Sequence, residues 1–290
     1  MDIRPFSRYL SLIKFSHTIF ALPFAFVAFF LATSKEAYDF SLKTLLLIVI
    51  CMVSARSAAM AFNRYADRRF DAINPRTSER ELPSGKVSSR GALWFTIISM
   101  VIFIIAAGLI NRVTLILSPV ALIITLGYSY TKRFTALCHF ILGLGLALAP
   151  AGAYIAVTET IGILPLIYSA IVLTWVAGFD IIYSLQDEIF DRDNGLLSIP
   201  SSYGRRTALT VSAASHTVTA LLVVAAGLVQ TAGYLYIAGA IIFLLLLTVQ
   251  HLIVTPGNIS RVNMAFGKLN GPGGVLYGAL TIADIMVPLQ

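Results

Sequence analysis

The sequence predicts an all-α, polytopic membrane protein with nine transmembrane helices, and three observations carry that reading. Hydrophobic residues fill 58% of the 290 positions and charged residues only 12%, about half the share usual in a soluble domain, which leaves too little charge to cover a water-facing surface. Apolar runs near the ~20 residues that span a bilayer recur along the whole length. The period-2 alternation of a membrane barrel is absent from them. Backbone donors and acceptors in hydrocarbon must be satisfied within their own segment, so the runs are helices.

In order, the runs cover residues 17–33, 43–62, 92–110, 114–131, 136–157, 162–183, 208–229, 233–254 and 271–288. Pro23 interrupts the first, and the ninth opens on glycines. The basic flank and apolar body of the first run have the layout of a signal peptide. Eight further spans follow it, so it is expected to stay as a helix. No linker or low-complexity tract divides residues 1–290, which predicts a single membrane domain. Cys51 and Cys138 are far apart in or beside spans and imply no disulfide framework. His17, His139, His216 and His251 stand singly, without Cys/His metal spacing, and are assigned structural or interfacial roles. Of these, His17 lies nearest the entrance of the first helix.

The positive charge is sided. Of the 21 Lys and Arg, 17 fall in the N-terminus (Arg4, Arg8, Lys14) and in the segments 63–91, 132–135, 184–207 and 255–270. Only Lys35, Lys43 and Arg112 lie on the other side, and Arg56 lies inside a span. The positive-inside rule makes the N-terminus and both segments rich in acids cytoplasmic, and an odd number of spans puts the C-terminus outside. The net charge of +7 therefore reflects topology and anionic phosphate partners, with no nucleic-acid binding implied.

Two acidic signatures sit where long apolar runs end: Asn63-Arg-Tyr-Ala-Asp67-Arg-Arg-Phe-Asp71 and Tyr183-Ser-Leu-Gln-Asp187-Glu-Ile-Phe-Asp191. Each spaces its carboxylates at i and i+4, one turn apart on one helix face. Asp67 and Asp187 are 120 residues apart, as are Asp71 and Asp191, and this coarse repeat of span, acidic end and polar loop predicts two such ends facing a central cavity. With Asn63 at 0°, Asp67 falls at about 40°, Asp71 at about 80° and Arg56 at about 20°, the arginine roughly 10 Å deeper in the membrane. A guanidinium there needs an anion and suits a carboxylate, whether of a ligand or of Asp180. On the second segment Tyr183, Asp187 and Asp191 share a face with Asp180 on the same side, whereas Glu188 and Asp193 point elsewhere and are expected to be solvated. Paired carboxylates at a membrane surface suit Mg²⁺ holding a diphosphate. The basic partners such an anion requires are at hand in the loop Asn74-Pro-Arg76-Thr-Ser-Glu-Arg80-Glu-Leu-Pro-Ser-Gly85-Lys86, in Tyr128 with Lys132, and in Lys14. Arg68 and Arg69, off the acidic stripe, are assigned to phospholipid headgroups.

These motifs resemble the UbiA superfamily of intramembrane aromatic prenyltransferases over nearly the full chain. The carrying residues are Asn63-x-x-x-Asp67-x-x-x-Asp71, Asn74-Pro-Arg76-Thr-x-x-Arg80-x-Leu-Pro-x-Gly85, Tyr128-x-x-x-Lys132 and Asp180-x-x-Tyr183-x-x-x-Asp187-x-x-x-Asp191, followed by Gly195 and Ser198. The resemblance implies nine helices around a central cavity with a side opening for a lipid tail, in a bacterial inner membrane. It implies Mg²⁺ ligation by Asp67, Asp71, Asp187 and Asp191 with help from Asn63, and diphosphate contacts from Arg80, Tyr128 and Lys132. Arg56 is implied to receive an acceptor carboxylate. The partners expected are a polyprenyl diphosphate, an aromatic hydroxy acid and the lipid bilayer. Arg64 stands where the family often has Asp, and Glu81 where it often has Pro. The segment Lys14-Phe-Ser-His17-Thr-Ile-Phe-Ala-Leu-Pro23 looks like a bacterial subgroup acting on 4-hydroxybenzoate, some of whose members are thought to prenylate a dihydroxynaphthoic acid for menaquinone.

The expected reaction is electrophilic aromatic prenylation in an apolar cavity that excludes water from the allyl cation. The ring proton leaves to the released diphosphate or to Asp180. A secondary transporter with intramembrane acids accounts for Asp180 and Arg56, but leaves the paired cytoplasmic carboxylates and the adjoining basic loop unexplained. A CDP-alcohol phosphotransferase needs a continuous acidic helix-pair motif that this sequence lacks.

Overall fold

The computed structural model describes residues 9, 11–12, 20–34 and 38–287. Lys14 and His17 lie outside the described residues, as do Arg4, Arg8 and Lys35. Every long element among the described residues is helical: α1 (Leu22–Thr33), α2 (Leu42–Ile73), α3 (Ser89–Ile110), α4 (Arg112–Thr131), α5 (Cys138–Thr158) and α6 (Ile163–Ser184) lead the order. They are followed by α7 (Glu188–Asp193), α8 (Ile199–Val229), α9 (Tyr234–Ile253) and α10 (Gly271–Met286). Seven of the described stretches are long and apolar enough to cross a membrane, one for each of the seven internal runs predicted. The two outer runs give shorter helices, α1 of 12 residues and α10 of 16. At 1.5 Å per residue neither helix alone covers the ~30 Å hydrocarbon core. A helical turn at Val262–Met264 and a π-helical turn at Ala265–Asn270 run directly into α10 and lengthen it.

Three differences from the predicted spans have local causes. α2 runs 32 residues, past the membrane-length run, because nothing in Asn63–Asp71 breaks a helix. After Ser184 the chain tightens into a 3-10 turn at Leu185–Asp187 before α7 begins, and this turn shifts the helical phase by roughly 60°. Tyr183, Asp187 and Asp191 therefore do not share the face of one uninterrupted α-helix, as the spacing predicts. α8 starts well ahead of its apolar run, at a capping box of Ser198 with Ser201 and with Pro200 in its first turn. Gly204 interrupts it at φ 79 and ψ 169, a conformation open to glycine and strained for other residues.

The described residues group into two compact units, one of Leu46–Tyr130 with the described part of Met1–Thr18, the other of Ile19–Leu45 and Thr131–Gln290. In the first unit Leu12, Ala61, Val87 and Ala92 pack with Tyr9, Met60, Leu82 and Phe95. In the second, α6 is central, packed along α5 and α8, while α10 lies against α1 and α9. Its core is aromatic: Trp175 lies 5.5 Å from Phe24, 5.3 Å from Phe179 and 5.4 Å from Phe243. Several polar groups inside it are paired with one another. Asn270 accepts from Trp175 Nε1 at 2.9 Å and exchanges hydrogen bonds with Gln250. Asp284 on α10 accepts the Gly233 and Tyr236 backbone N–H groups that begin α9, filling the role of a cap from a neighbouring helix. His216 and His251, solitary in sequence, hydrogen-bond each other at 2.8 Å.

Helices in lipid gain association energy from close packing, which small residues permit. Gly143 on α5 is such a point: a Cβ there meets the Leu173 carbonyl oxygen of α6 at 2.5 Å. Gly143→Ala is expected to cost about 1–3 kcal/mol by overpacking against backbone that cannot turn aside. A lowered unfolding midpoint in detergent is the check, and an unchanged midpoint refutes this packing role.

Candidate active site

The first acidic signature folds as the spacing predicts, on the last three turns of α2. Asn63 Nδ2 donates to Asp67 Oδ2 at 3.0 Å, one turn on. Asp71 is buried, and the loop after α2 is folded back so as to reach it. Asn74 Oδ1 accepts the Arg76 backbone N–H, the Thr77 hydroxyl donates to the Asp71 carbonyl, and Arg80 Nη1 donates to Asp71 Oδ1 at 2.7 Å. The Asn-Pro-Arg-Thr-x-x-Arg spacing is thus an Asx turn followed by a helix-end cap, which returns an arginine to the acid nine residues before it. Asp71 Oδ2 is buried with no hydrogen-bond partner among the described residues.

Deeper on α2, Arg56 Nε is likewise buried without a partner, and Tyr128 of α4 interacts electrostatically with its guanidinium. A buried N–H left unpaired costs about 1–3 kcal/mol, so this arginine is set for an acceptor. Arg64, at the position where the resemblance leads one to expect Asp, is 6% exposed, and the Asn63–Asp67 hydrogen bond forms beside it in sequence. The Arg68 guanidinium lies 4.5 Å from the Tyr65 ring centroid and donates to the Tyr65 carbonyl.

The second signature belongs to the other unit. Asp187 ends the 3-10 turn and Asp191 lies on α7, both buried. Lys132 Nζ donates to Asp191 Oδ2 at 3.1 Å, and its carbonyl accepts the Leu197 N–H. This loop lysine is tied by main chain and side chain to the segment that carries the acids. Burial alone pulls the Lys132 ammonium down, but Asp191 and then Asp187 hold it above the ordinary lysine range. Tyr183 stacks on Phe266 of the π-helical turn at 4.3 Å. Glu188 corrects its predicted solvated state: it is 8% exposed, held by Arg192 at 2.8 Å and by Arg205 of α8 at 2.6 Å. It works as a clasp between α7 and α8. Asp193 is exposed, as expected.

Asp180, the candidate base, has a partner that sequence reasoning did not supply. His139 Nδ1 lies 2.7 Å from Asp180 Oδ2. Nothing in the spacing of 139 and 180 marks the pair, because α5 and α6 meet only in the fold.

The four predicted metal ligands are oxygen donors, Asp67 and Asp71 in one unit and Asp187 and Asp191 in the other. No group of three or more His, Cys, Asp or Glu gathers as a metal cage among the described residues. Mg²⁺ asks for less, one or two carboxylates with water and substrate phosphate completing the shell. The unpartnered Asp71 Oδ2 fits that demand.

Known proteins resemble the chain over most of its length. The model of the UbiA prenyltransferase family matches residues 21–271. A 4-hydroxybenzoate octaprenyltransferase of Nitrosospira multiformis is 31% identical over 242 residues, 83% of each chain. One of Nitrosomonas eutropha is 30% identical over 244 residues, 83% of this chain and 84% of that one. Among solved structures, the apo structure of a UbiA homolog from Aeropyrum pernix K1 superposes with TM-score 0.84 at 35% identity, covering 93% of this chain and 98% of that one. A UbiA homolog from Archaeoglobus fulgidus bound to GPP and Mg²⁺ shares the fold, with TM-score 0.71 at 22% identity over 97% of this chain and 100% of that one.

Removing Lys132 takes the cationic partner from the buried Asp191, which is expected to cost about 1–3 kcal/mol in Lys132→Met. Because the lysine pKa is raised in the fold, its stabilising share is full below the ordinary lysine value and is lost only as pH rises through the folded one. Unfolding midpoints of wild type and Lys132→Met should therefore stay apart from pH 6 to pH 9; midpoints that coincide there refute the ion pair.

Proposed function

The chain belongs to the UbiA prenyltransferase family, and on that premise we propose that it transfers a polyprenyl group from a polyprenyl diphosphate to 4-hydroxybenzoate, in ubiquinone biosynthesis. We infer Mg²⁺ dependence and a bacterial cytoplasmic membrane, with the N-terminus and both acidic segments on the cytoplasmic side, as the charge distribution supports. Residues 1–290 act as one prenyltransferase domain in this reading. The names of the relatives favour 4-hydroxybenzoate over dihydroxynaphthoate as acceptor.

The observation that carries the reading is Asp71: Arg80 holds one carboxylate oxygen and the other is buried without a partner. Such an acid is oriented for a ligand and balanced by a cation. Asp67, Asp71, Asp187 and Asp191 would hold Mg²⁺, with Asn63 fixing Asp67. When bound, the metal supplies neutralising charge to the diphosphate leaving group. Arg80 and Lys132, already charged and placed by their carboxylates, add fixed positive charge for the same anion, and Tyr128 offers it a hydroxyl. Each is preorganised, so little reorganisation is needed as the allylic C–O bond breaks. Arg56, with its unpaired Nε–H, receives the acceptor carboxylate and orients the hydroxylated ring for attack. Tyr183, braced on Phe266, takes part in substrate binding. The ring carbon then loses its proton to Asp180, and aromaticity is restored.

An assay in membranes with one polyprenyl diphosphate and a panel of hydroxy- and dihydroxy-aromatic acids tests the reading. 4-Hydroxybenzoate should be the preferred acceptor, EDTA should abolish turnover and added Mg²⁺ should restore it. Asp67→Asn and Asp191→Asn should each lose more than about a hundredfold in kcat/KM while inserting normally. Full activity in both variants removes the metal assignment, and preference for a dihydroxynaphthoate transfers the enzyme to menaquinone biosynthesis.

A further inference from the structure

The structure points to His139 as a positioning residue for the Asp180 carboxylate; the inference rests on the reading of Asp180 as proton acceptor. His139 is wholly buried at the start of α5. Its Nδ1 lies 2.7 Å from Asp180 Oδ2, and its Nε2 accepts the Ile199 backbone N–H at 3.4 Å. An Nε2 that accepts carries no hydrogen, so the neutral ring carries its one proton on Nδ1 and donates it to Asp180. The Ile199 N–H is one of the donors that the first turn of α8 leaves unpaired. The imidazole therefore links that turn to Asp180, and its tautomer is set by the fold.

The pair has a closed end and an open one. The imidazole shows no exposed surface, whereas the Asp180 side chain keeps 22% of its own. Oδ2 is committed to His139, and Oδ1 has no hydrogen bond among the described residues. A carboxylate free to rotate presents its oxygens at random; one pinned through Oδ2 presents Oδ1 in one direction. In the deprotonation step Oδ1 takes the hydrogen from the prenylated ring carbon as a proton. The C–H electron pair returns to the ring, and the Nδ1 proton stays on His139. The pair His216 and His251 lacks this design. Those rings close on each other and on the Trp175 carbonyl, so no carboxylate is presented.

Two isopolar substitutions separate positioning from mere packing. Asn places its amide where Nδ1 stands and preserves donation to Asp180; Gln reaches the Nε2 position and does not. With geranyl diphosphate and the best acid of the acceptor panel, His139→Gln should lower kcat about ten- to a hundredfold, the worth of one hydrogen bond to a charged group. The KM for the diphosphate should stay within about threefold, and His139→Asn should retain most of wild-type kcat. Adding His139→Gln to Asp180→Asn should cause no further loss. Wild-type kcat in His139→Gln, or an equal fall or equal failure to fold in both variants, overturns the positioning role. Full activity in Asp180→Asn defeats the base assignment itself. An inactive Asp180→Asn beside a fully active His139→Gln defeats only the positioning.

Discussion

A charge at the end of an apolar helix must be met by another charge or by a ligand, and the described structure is organised around that demand. Water solvates an exposed carboxylate cheaply, but a buried one needs a donor within hydrogen-bond distance. Asp71 meets it through Arg80, Asp191 through Lys132, and Glu188 through Arg192 and Arg205. Arg80, Lys132 and Arg205 are brought from other segments, whereas Arg192 lies one turn along α7 from Glu188. The loop after α2, the turn after α4 and the break between α7 and α8 therefore take their shapes from the acids they serve. Among the described residues, two of the site candidates keep a buried polar atom without a hydrogen-bond partner, Asp71 at Oδ2 and Arg56 at Nε, as do Arg64, Ser129, Ser169, Gln230 and Thr281 elsewhere.

The larger unit applies the same rule to neutral groups. Hydrocarbon offers no donor or acceptor, so polar side chains inside it pair with one another or finish the backbone bonding of a helix end. Asn270, Gln250 and Trp175 form a closed knot beside the π-helical turn, and Asp284 satisfies the N–H groups at the head of α9. Tyr236 and Tyr277 join hydroxyls at 2.8 Å between α9 and α10. These contacts hold the aromatic core around Trp175, on whose edge Phe266 supports Tyr183. The Tyr183 ring is thereby braced by the aromatic core.

The family's chemistry needs a diphosphate bound at one end and an apolar space for the allylic cation at the other. The residues divide accordingly. In each unit the acids and their basic partners lie at or beyond helix ends, while Arg56 and Asp180 lie within spans. The His139 contact extends the second set, for it connects an intramembrane acid with the loop that also holds Lys132 to Leu197.

Sequence alone determined the helical membrane class, seven internal spans and the two acidic signatures. All of these follow from local quantities: apolar run length, i,i+4 spacing and the cost of bare backbone in lipid. The Asn63–Asp67 pair was legible for that reason, since both groups sit on one unbroken helix. Only the tertiary structure decided the break at Leu185–Asp187, the burial of Glu188, the meeting of His216 with His251, and the His139–Asp180 contact. Periodicity carries a helix's phase only while the helix continues, and a 3-10 turn resets it. His139, the partner of Asp180, and Arg205, which joins Arg192 on Glu188, lie on other segments, 41 and 17 residues away along the chain. Their distances in space depend on how helices pack, which no local spacing records.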